Sequence, residues 1–128
     1  MEGKEKGDMK KVLVVGSLNM DMVLSVDHHP VPGETIIGDG ITYHPGGKGA
    51  NQAYAVGKLG GDVRIIGCVG WDNNGMILTE NLAQAGVDTT AINRMPEAPT
   101  GMAIIDVDKK GDNSIIVISG ANACLTPD

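Results

Sequence analysis

The run VLVVG, Val12 to Gly16, has no polar side chain and ends on glycine. A short continuous apolar run of this kind fits a strand buried on both faces, as in a parallel sheet. A second such run, VRIIGCVG, begins at Val63. The segment between them ends at Leu59 and places Ala50, Ala53 and Gly57 on one face at helical spacing, with Gly60 as a C-terminal cap. After the second run, Asp72 or Asn73 caps a helix whose stripe is Gly75, Leu78, Leu82 and Ala85 and whose end is Gly86. A shorter strand is expected from Thr89 to Arg94. Buried strands alternating with amphipathic helices argue for an α/β layer fold with a mostly parallel sheet.

Two other pairs of segments have a different texture. MDMVLSV and TIIGDGITYH, then TGMAIIDVD and NSIIVIS, are β-branched with partial alternation and are separated by turn residues. They predict antiparallel pairs near residues 19–26 with 36–44 and 101–107 with 113–119, forming a small second sheet that covers a ligand at the edge of the α/β layer. DKKGDN reads as a hairpin turn. Residues 1–11, charged and without periodicity, read as a flexible, solvated leader. LTPD at the end spells a helix start: Thr126 as N-cap, Pro127 in the first helical position and Asp128 in the first turn. That pattern is expected of a fragment.

Composition narrows the function. The 128 residues are enough for one domain with a real core, and without Phe that core must be Val, Ile, Leu, Met and Ala. A net charge of −6, with no basic cluster beyond the first eleven residues, lacks the footprint of a nucleic-acid binder. No apolar run reaches the roughly 20 residues of a membrane helix, and the start has no signal-peptide core, so a cytoplasmic protein is expected. Cys68 and Cys124 lack metal-ligand or disulfide-framework spacing, and Cys68 reads as a small buried hydrophobe. His28, His29 and His44 are taken as exposed turn residues rather than zinc ligands, and Trp71 as a packing or surface residue.

Two stretches carry chemistry. HPGGKGANQA, residues 44–53, is a glycine loop opening a helix, so bare backbone N–H groups stand at the positive end of the helix dipole. It is neither a Walker A loop, since Gly49 rather than Ser or Thr follows Lys48, nor a dinucleotide fingerprint, since Gln52 holds the third glycine place. Its glycines permit close approach of a small oxygen-rich ligand while Lys48 and Asn51 add donors. The composition equally allows glycines that only permit tight helix packing, with Lys48 in solvent. In GSLNMD, Asn19 and Asp21 alternate along an extended chain and point to one side at the C-terminal end of the first strand. An amide beside a carboxylate suits a polyhydroxylated ligand, although a turn Asn and an exposed Asp fit the spacing too.

Taken in order, GSLNMD, PGET at Pro32 to Thr35, GGKGANQA at Gly46 to Ala53, the spacing of Gly70, Asp72 and Gly75, TG at Thr100, and GAN at Gly120 to Asn122 resemble the N-terminal part of the ribokinase-like (PfkB-type) carbohydrate kinases, nearest their ribokinase branch. The resemblance runs from Val12 to Asp128. It implies the N-terminal part of a ribokinase-like three-layer α/β sandwich with a small β-sheet lid, and a homodimer joined through the lid. It implies that Asn19 and Asp21 hold ribose hydroxyls, that the backbone at Gly46 and Gly47 approaches the sugar, that Lys48 and Asn51 add hydrogen bonds, and that Ala103 and Ile105 offer an apolar surface.

The reaction it implies is transfer of the γ-phosphoryl group of ATP to the primary hydroxyl of ribose, with Mg²⁺ and a monovalent cation such as K⁺. The family's Gly-Ala-Gly-Asp motif, which supplies base and anion cradle, and its nucleotide-binding half are missing from these 128 residues. No turnover is therefore expected of this chain alone. Kinase action on deoxyribose or another small sugar, and a non-catalytic sugar-binding or dimerising module, are the alternatives.

Overall fold

The computed structural model describes residues 10–127. The elements run β1 (Lys11–Val15), β2 (Asn19–Ser25), β3 (Gly40–Gly46), α1 (Lys48–Lys58), β4 (Asp62–Gly70), α2 (Asn73–Gln84), β5 (Ile92–Met95), β6 (Gly101–Val107) and β7 (Asn113–Ile118), with a 3-10 turn at Gly120–Cys124. β1, β4 and β5 form a parallel three-stranded sheet with β4 in the centre. β3, β2, β6 and β7 form a second sheet, in which two antiparallel hairpin-like pairs are joined by the parallel pairing of β2 with β6. The α/β layer and the small sheet of the sequence reading are both present.

Local chemistry sets the helices. α1 opens at Gly47, whose φ of 98° is in the left-handed region, and Gly60, φ 85°, follows its end. Ala50 and Ala53 face inward, and a Cβ at Gly49 would stand 2.8 Å from the backbone of Gly16. That close approach seats α1 against the end of β1. α2 starts at Asp72, whose carboxylate accepts from the Gly75 amide at 2.9 Å. Leu78 and Leu82 from α2 join Val14, Leu18, Met20, Ala53, Val63, Ile65 and Val69 in one apolar core between the helices and the parallel sheet.

Several expectations shift. β1 is buried on one face only: Val14 is in the core while Leu13 and Val15 are 58% and 60% exposed. α1 packs on β1, and Val14 shares a core cluster with Leu78 and Leu82 of α2, while Leu13 and Val15 on the other face stay open. The strand expected at 36–44 begins at Gly40, because β2 stops at Ser25, the partner of Gly40, and leaves residues 36–39 no ladder to join. It continues instead through Pro45 to Gly46. The strand expected at 89–94 is Ile92–Met95, since the Asp88 carboxylate accepts from the Thr90 amide at 2.9 Å and its hydroxyl at 2.6 Å, holding a turn there. Lys11, assigned to the leader, pairs with Asp62 in β1, and residues 1–9 lie outside the described residues. Leu125 to Pro127 form no helical turn, and Asp128 lies outside the described residues.

Candidate functional site

The chain leaves the parallel sheet at the end of β1 and enters the small sheet at the start of β2, where Asn19 and Asp21 stand. Asn19 is opposite Gly46 on β3 and Gly101 on β6, while Asp21 is opposite His44 and Ala103. The period of two places Asn19, Asp21, His44, Gly46, Ala103 and Ile105 on one face of the sheet. Ala103 is buried and Ile105 half-buried. The backbone here is shaped by what lies on it. A Cβ at Gly46 would stand 2.5 Å from Asp21 Oδ2 and 2.8 Å from Oδ1, so the carboxylate rests over bare backbone. A Cβ at Gly47 would meet the Ser17 carbonyl at 2.5 Å and the Asn19 amide at 2.9 Å.

The Asn19 side chain is held by a residue to which the sequence reading gave no role. Asn122, in the 3-10 turn, accepts from the Leu18 amide at 3.0 Å and donates through Nδ2 to the Leu18 carbonyl at 3.0 Å and to Asn19 Oδ1 at 2.8 Å. With Oδ1 so engaged, the Asn19 amide is oriented with its Nδ2 left to donate elsewhere. Gly101 is bare for the same reason as Gly46, since a Cβ there would strike both amides. GAN and TG were visible as motif letters; their role in fixing Asn19 was not. Burial raises the Asp21 carboxyl above its ordinary value, and the facing His44 partly opposes this.

The remaining expected residues separate. Lys48 is exposed at the start of α1. Asn51, also exposed, lines a pocket of about 300 Å³ with His44, Pro45, Gly46, Tyr54 and Asn81. Asn19 and Asp21 do not line it, so Gly46 is the strip of backbone shared by the pocket and the Asp21 face. Gly70, Asp72, Gly75 and Thr100, read in the sequence only as motif letters, form a largely buried brace. Thr100 donates its hydroxyl to Asp72 Oδ1 at 2.5 Å and its amide to Oδ2 at 2.9 Å, and its hydroxyl accepts from the Gly70 amide at 2.9 Å. Burial pushes the Asp72 carboxyl up, but the bonds from Thr100 and Gly75 outweigh it and hold the carboxyl below its ordinary value. Among the described residues, no three His, Cys, Asp or Glu side chains converge to hold a metal ion.

A family profile described as pfkB family carbohydrate kinase matches residues 9–128. The chain belongs to that family. Among carbohydrate kinases of this family it is 47% identical over 119 residues to the ribokinase of Haemophilus influenzae, an overlap of 92% of this chain and 39% of that protein. To the ribokinase of Bacillus subtilis it is 43% identical over 119 residues, covering 93% of this chain and 40% of that one. The solved structure of Arabidopsis thaliana ribokinase complexed with ribose and ATP superposes with a TM-score of 0.83 at 35% identity, over 89% of this chain and 37% of that chain. The chain thus spans about two fifths of the length of these carbohydrate kinases.

Proposed function

We propose that this chain is the sugar-recognising part of a ribokinase, which transfers the γ-phosphoryl group of ATP to the primary hydroxyl of D-ribose. The observation that carries the reading is the pairing of an acceptor and a donor on one sheet face. The Asp21 carboxylate lies over the bare backbone of Gly46, and beside it the Asn19 amide is turned by Asn122 so that Nδ2 points its hydrogens outward from that bond. A sugar hydroxyl donates to the carboxylate and accepts from the amide, and Ala103 and Ile105 supply the apolar surface a ring's C–H groups need. Gly46 and Gly47 let the main chain approach, and Lys48 and Asn51 add donors from α1. The similarity to ribokinases, one of them solved with ribose and ATP, supports this assignment.

Asp21 orients hydroxyls and is not the base for the attack, since its carboxylate is already committed to the sugar. ATP supplies the phosphoryl group when bound. Mg²⁺ and a monovalent cation are expected for phosphoryl transfer; among the described residues no three His, Cys, Asp or Glu side chains converge to hold a divalent ion. A homodimer through the small sheet fits the face turned away from Asp21, where Ile41, Tyr43, Ile116 and Ile118 are exposed together. No helix of the described residues is long and apolar enough to cross a membrane, and we place the enzyme in the cytoplasm with its nucleotide.

The test is a chimera in which this chain replaces the matching segment of the Haemophilus influenzae ribokinase. It should form ribose 5-phosphate from ribose and ATP. Gly46→Ala, which drives a methyl into the Asp21 carboxylate, should raise KM for ribose at least about tenfold. A folded chimera that phosphorylates nothing, or a Gly46→Ala form with unchanged KM, would reject the reading.

A further inference from the structure

Leu18, fully buried, stands where the chain passes from β1 into β2. Both of its backbone groups are bound by one side chain, that of Asn122. Oδ1 accepts from the Leu18 amide at 3.0 Å, and Nδ2 donates to the Leu18 carbonyl at 3.0 Å. A backbone amide can only donate and a backbone carbonyl can only accept, so the two together leave the Asn122 side chain one orientation. Nδ2 carries a second hydrogen, and it goes to Asn19 at 2.8 Å. The Asn19 atom that receives it must be an oxygen. The donor polarity of Asn19 is therefore dictated by the main chain of its own neighbour, relayed through a residue 103 positions away.

The 3-10 turn is shaped to hold Asn122 in that place. Gly120 has a φ of 52°, and a Cβ on it would strike the Pro99 carbonyl. The Ala121 amide donates to that carbonyl at 2.7 Å, Ala121 itself is fully buried, and the Asn122 amide donates to the Ser119 carbonyl at 3.0 Å. Gly101 supplies the room. It lies opposite Asn19 in the ladder between β2 and β6, and a Cβ there would strike both Asn122 Nδ2 and Asn19 Oδ1 where those atoms bond.

We propose that Asn122 is a positioning residue that sets the hydrogen-bond polarity of the sugar site, keeping Asn19 a donor beside the acceptor Asp21. The ligand rests on the ribokinase reading above, whereas the relay itself involves only Leu18, Asn19, Gly101 and Asn122. Its consequence follows from the chemistry of a hydroxyl, which carries a single hydrogen. A sugar hydroxyl that accepts from Asn19 keeps its own hydrogen for the Asp21 carboxylate. With the Asn19 amide turned over, that hydroxyl would give its hydrogen to Asn19, and the carboxylate would lose it. The relay removes the turned-over state. The Asn19 amide is then ordered before the sugar arrives, and binding does not have to order it.

The first measurement is the order parameter of the Asn19 Nδ2 group, by ¹⁵N relaxation in the 128-residue protein. It should be about 0.8, as for rigid backbone, and fall below about 0.6 in both Asn122→Ala and Gly101→Ala. The kinetic test uses the Haemophilus influenzae chimera. There Asn122→Ala should raise KM for ribose about tenfold with kcat within about twofold of the parent, as loss of a binding contact does. Added to Asn19→Ala, it should change KM by less than about twofold, because its route to the sugar is gone. An equal rise with and without the Asn19 side chain would mean that Asn122 only supports the Leu18 main chain, and would overturn the proposal. So would an Asn19 amide that is mobile in the unsubstituted protein, a result that needs no variant to fold. An Asn19 that is rigid and loosens in the variants, beside a chimera without ribose activity, upholds the relay and rejects the sugar reading instead.

Discussion

Replacing Thr100 with Val removes one hydroxyl and changes almost nothing else, because the two side chains have nearly the same shape. Thr100 is 2% exposed, and its hydroxyl donates to Asp72 at 2.5 Å and accepts from the Gly70 amide at 2.9 Å. The Thr100→Val protein therefore loses one bond to a charged carboxylate and leaves one buried amide without a partner. A hydrogen bond to a charged group contributes roughly 1.5–3 kcal/mol, and an orphaned buried donor costs about 1–3 kcal/mol. These overlap in one network, so the expected loss is about 3 kcal/mol, near 10 °C in Tm for a domain of this size.

Urea unfolding followed by fluorescence suits the measurement. Trp71, the one tryptophan, precedes Asp72, donates to the Arg94 carbonyl at 3.1 Å and lies under the Arg94 guanidinium at 4.1 Å. The pH profile gives an independent check. The folded Asp72 carboxyl sits below its unfolded value of 3.8, so its contribution is present above that value and is lost as pH falls through the folded one. The advantage of the parent protein over Thr100→Val should therefore narrow below pH 3.8. A loss under about 1 kcal/mol, together with a gap that does not change with pH, would refute the account of this brace.

Two further outcomes follow from the site and the sheet edge. Burial holds the Asp21 carboxyl above 3.8, so under the proposed sugar-binding role acidification should protonate it and weaken ribose binding, with the decline beginning above that value. Titration calorimetry across pH should show this limb in the parent protein and not in Asp21→Asn, and a retained limb in the variant would remove Asp21 from the site. The stability effect has the opposite sign: a raised folded value favours the fold as pH falls, so Asp21→Asn should not lower stability at pH 7. At the β4 edge, the Asp88 carboxyl is lowered to about 2, first by the Thr90 hydroxyl and amide and then by Arg64. Carboxyl NMR titration should find it raised more by Thr90→Ala than by Arg64→Ala, and the reverse order would mean that the exposed ion pair dominates.

The α/β alternation, the caps at Asp72, Gly60 and Gly86, and the DKKGDN hairpin were all legible in the sequence. Each rests on local physics: a period of 2 or 3.6, a short oxygen that can reach an amide, or a glycine that tolerates positive φ. The placement of Asn19 and Asp21 on one side was legible for the same reason, since two residues along a strand is a full repeat. Hairpin bounds were less so, because the start of β3 depends on where its partner β2 stops.

What the tertiary structure alone decided is carried by residues far apart in the chain. Asn122 reaches Leu18 and Asn19 across more than a hundred residues, and Thr100 reaches Asp72 across 28. No spacing rule encodes such a meeting. The one-sided burial of β1 and the position of Asn51 around the corner from Asp21 are of the same kind. An apolar strand reads alike whether one face or two are covered, and a donor four residues into a helix can look toward either side of a glycine strip. The sequence by itself set the elements and their inward faces through local periodicity; packing over long loops chose which faces meet and which amide is held.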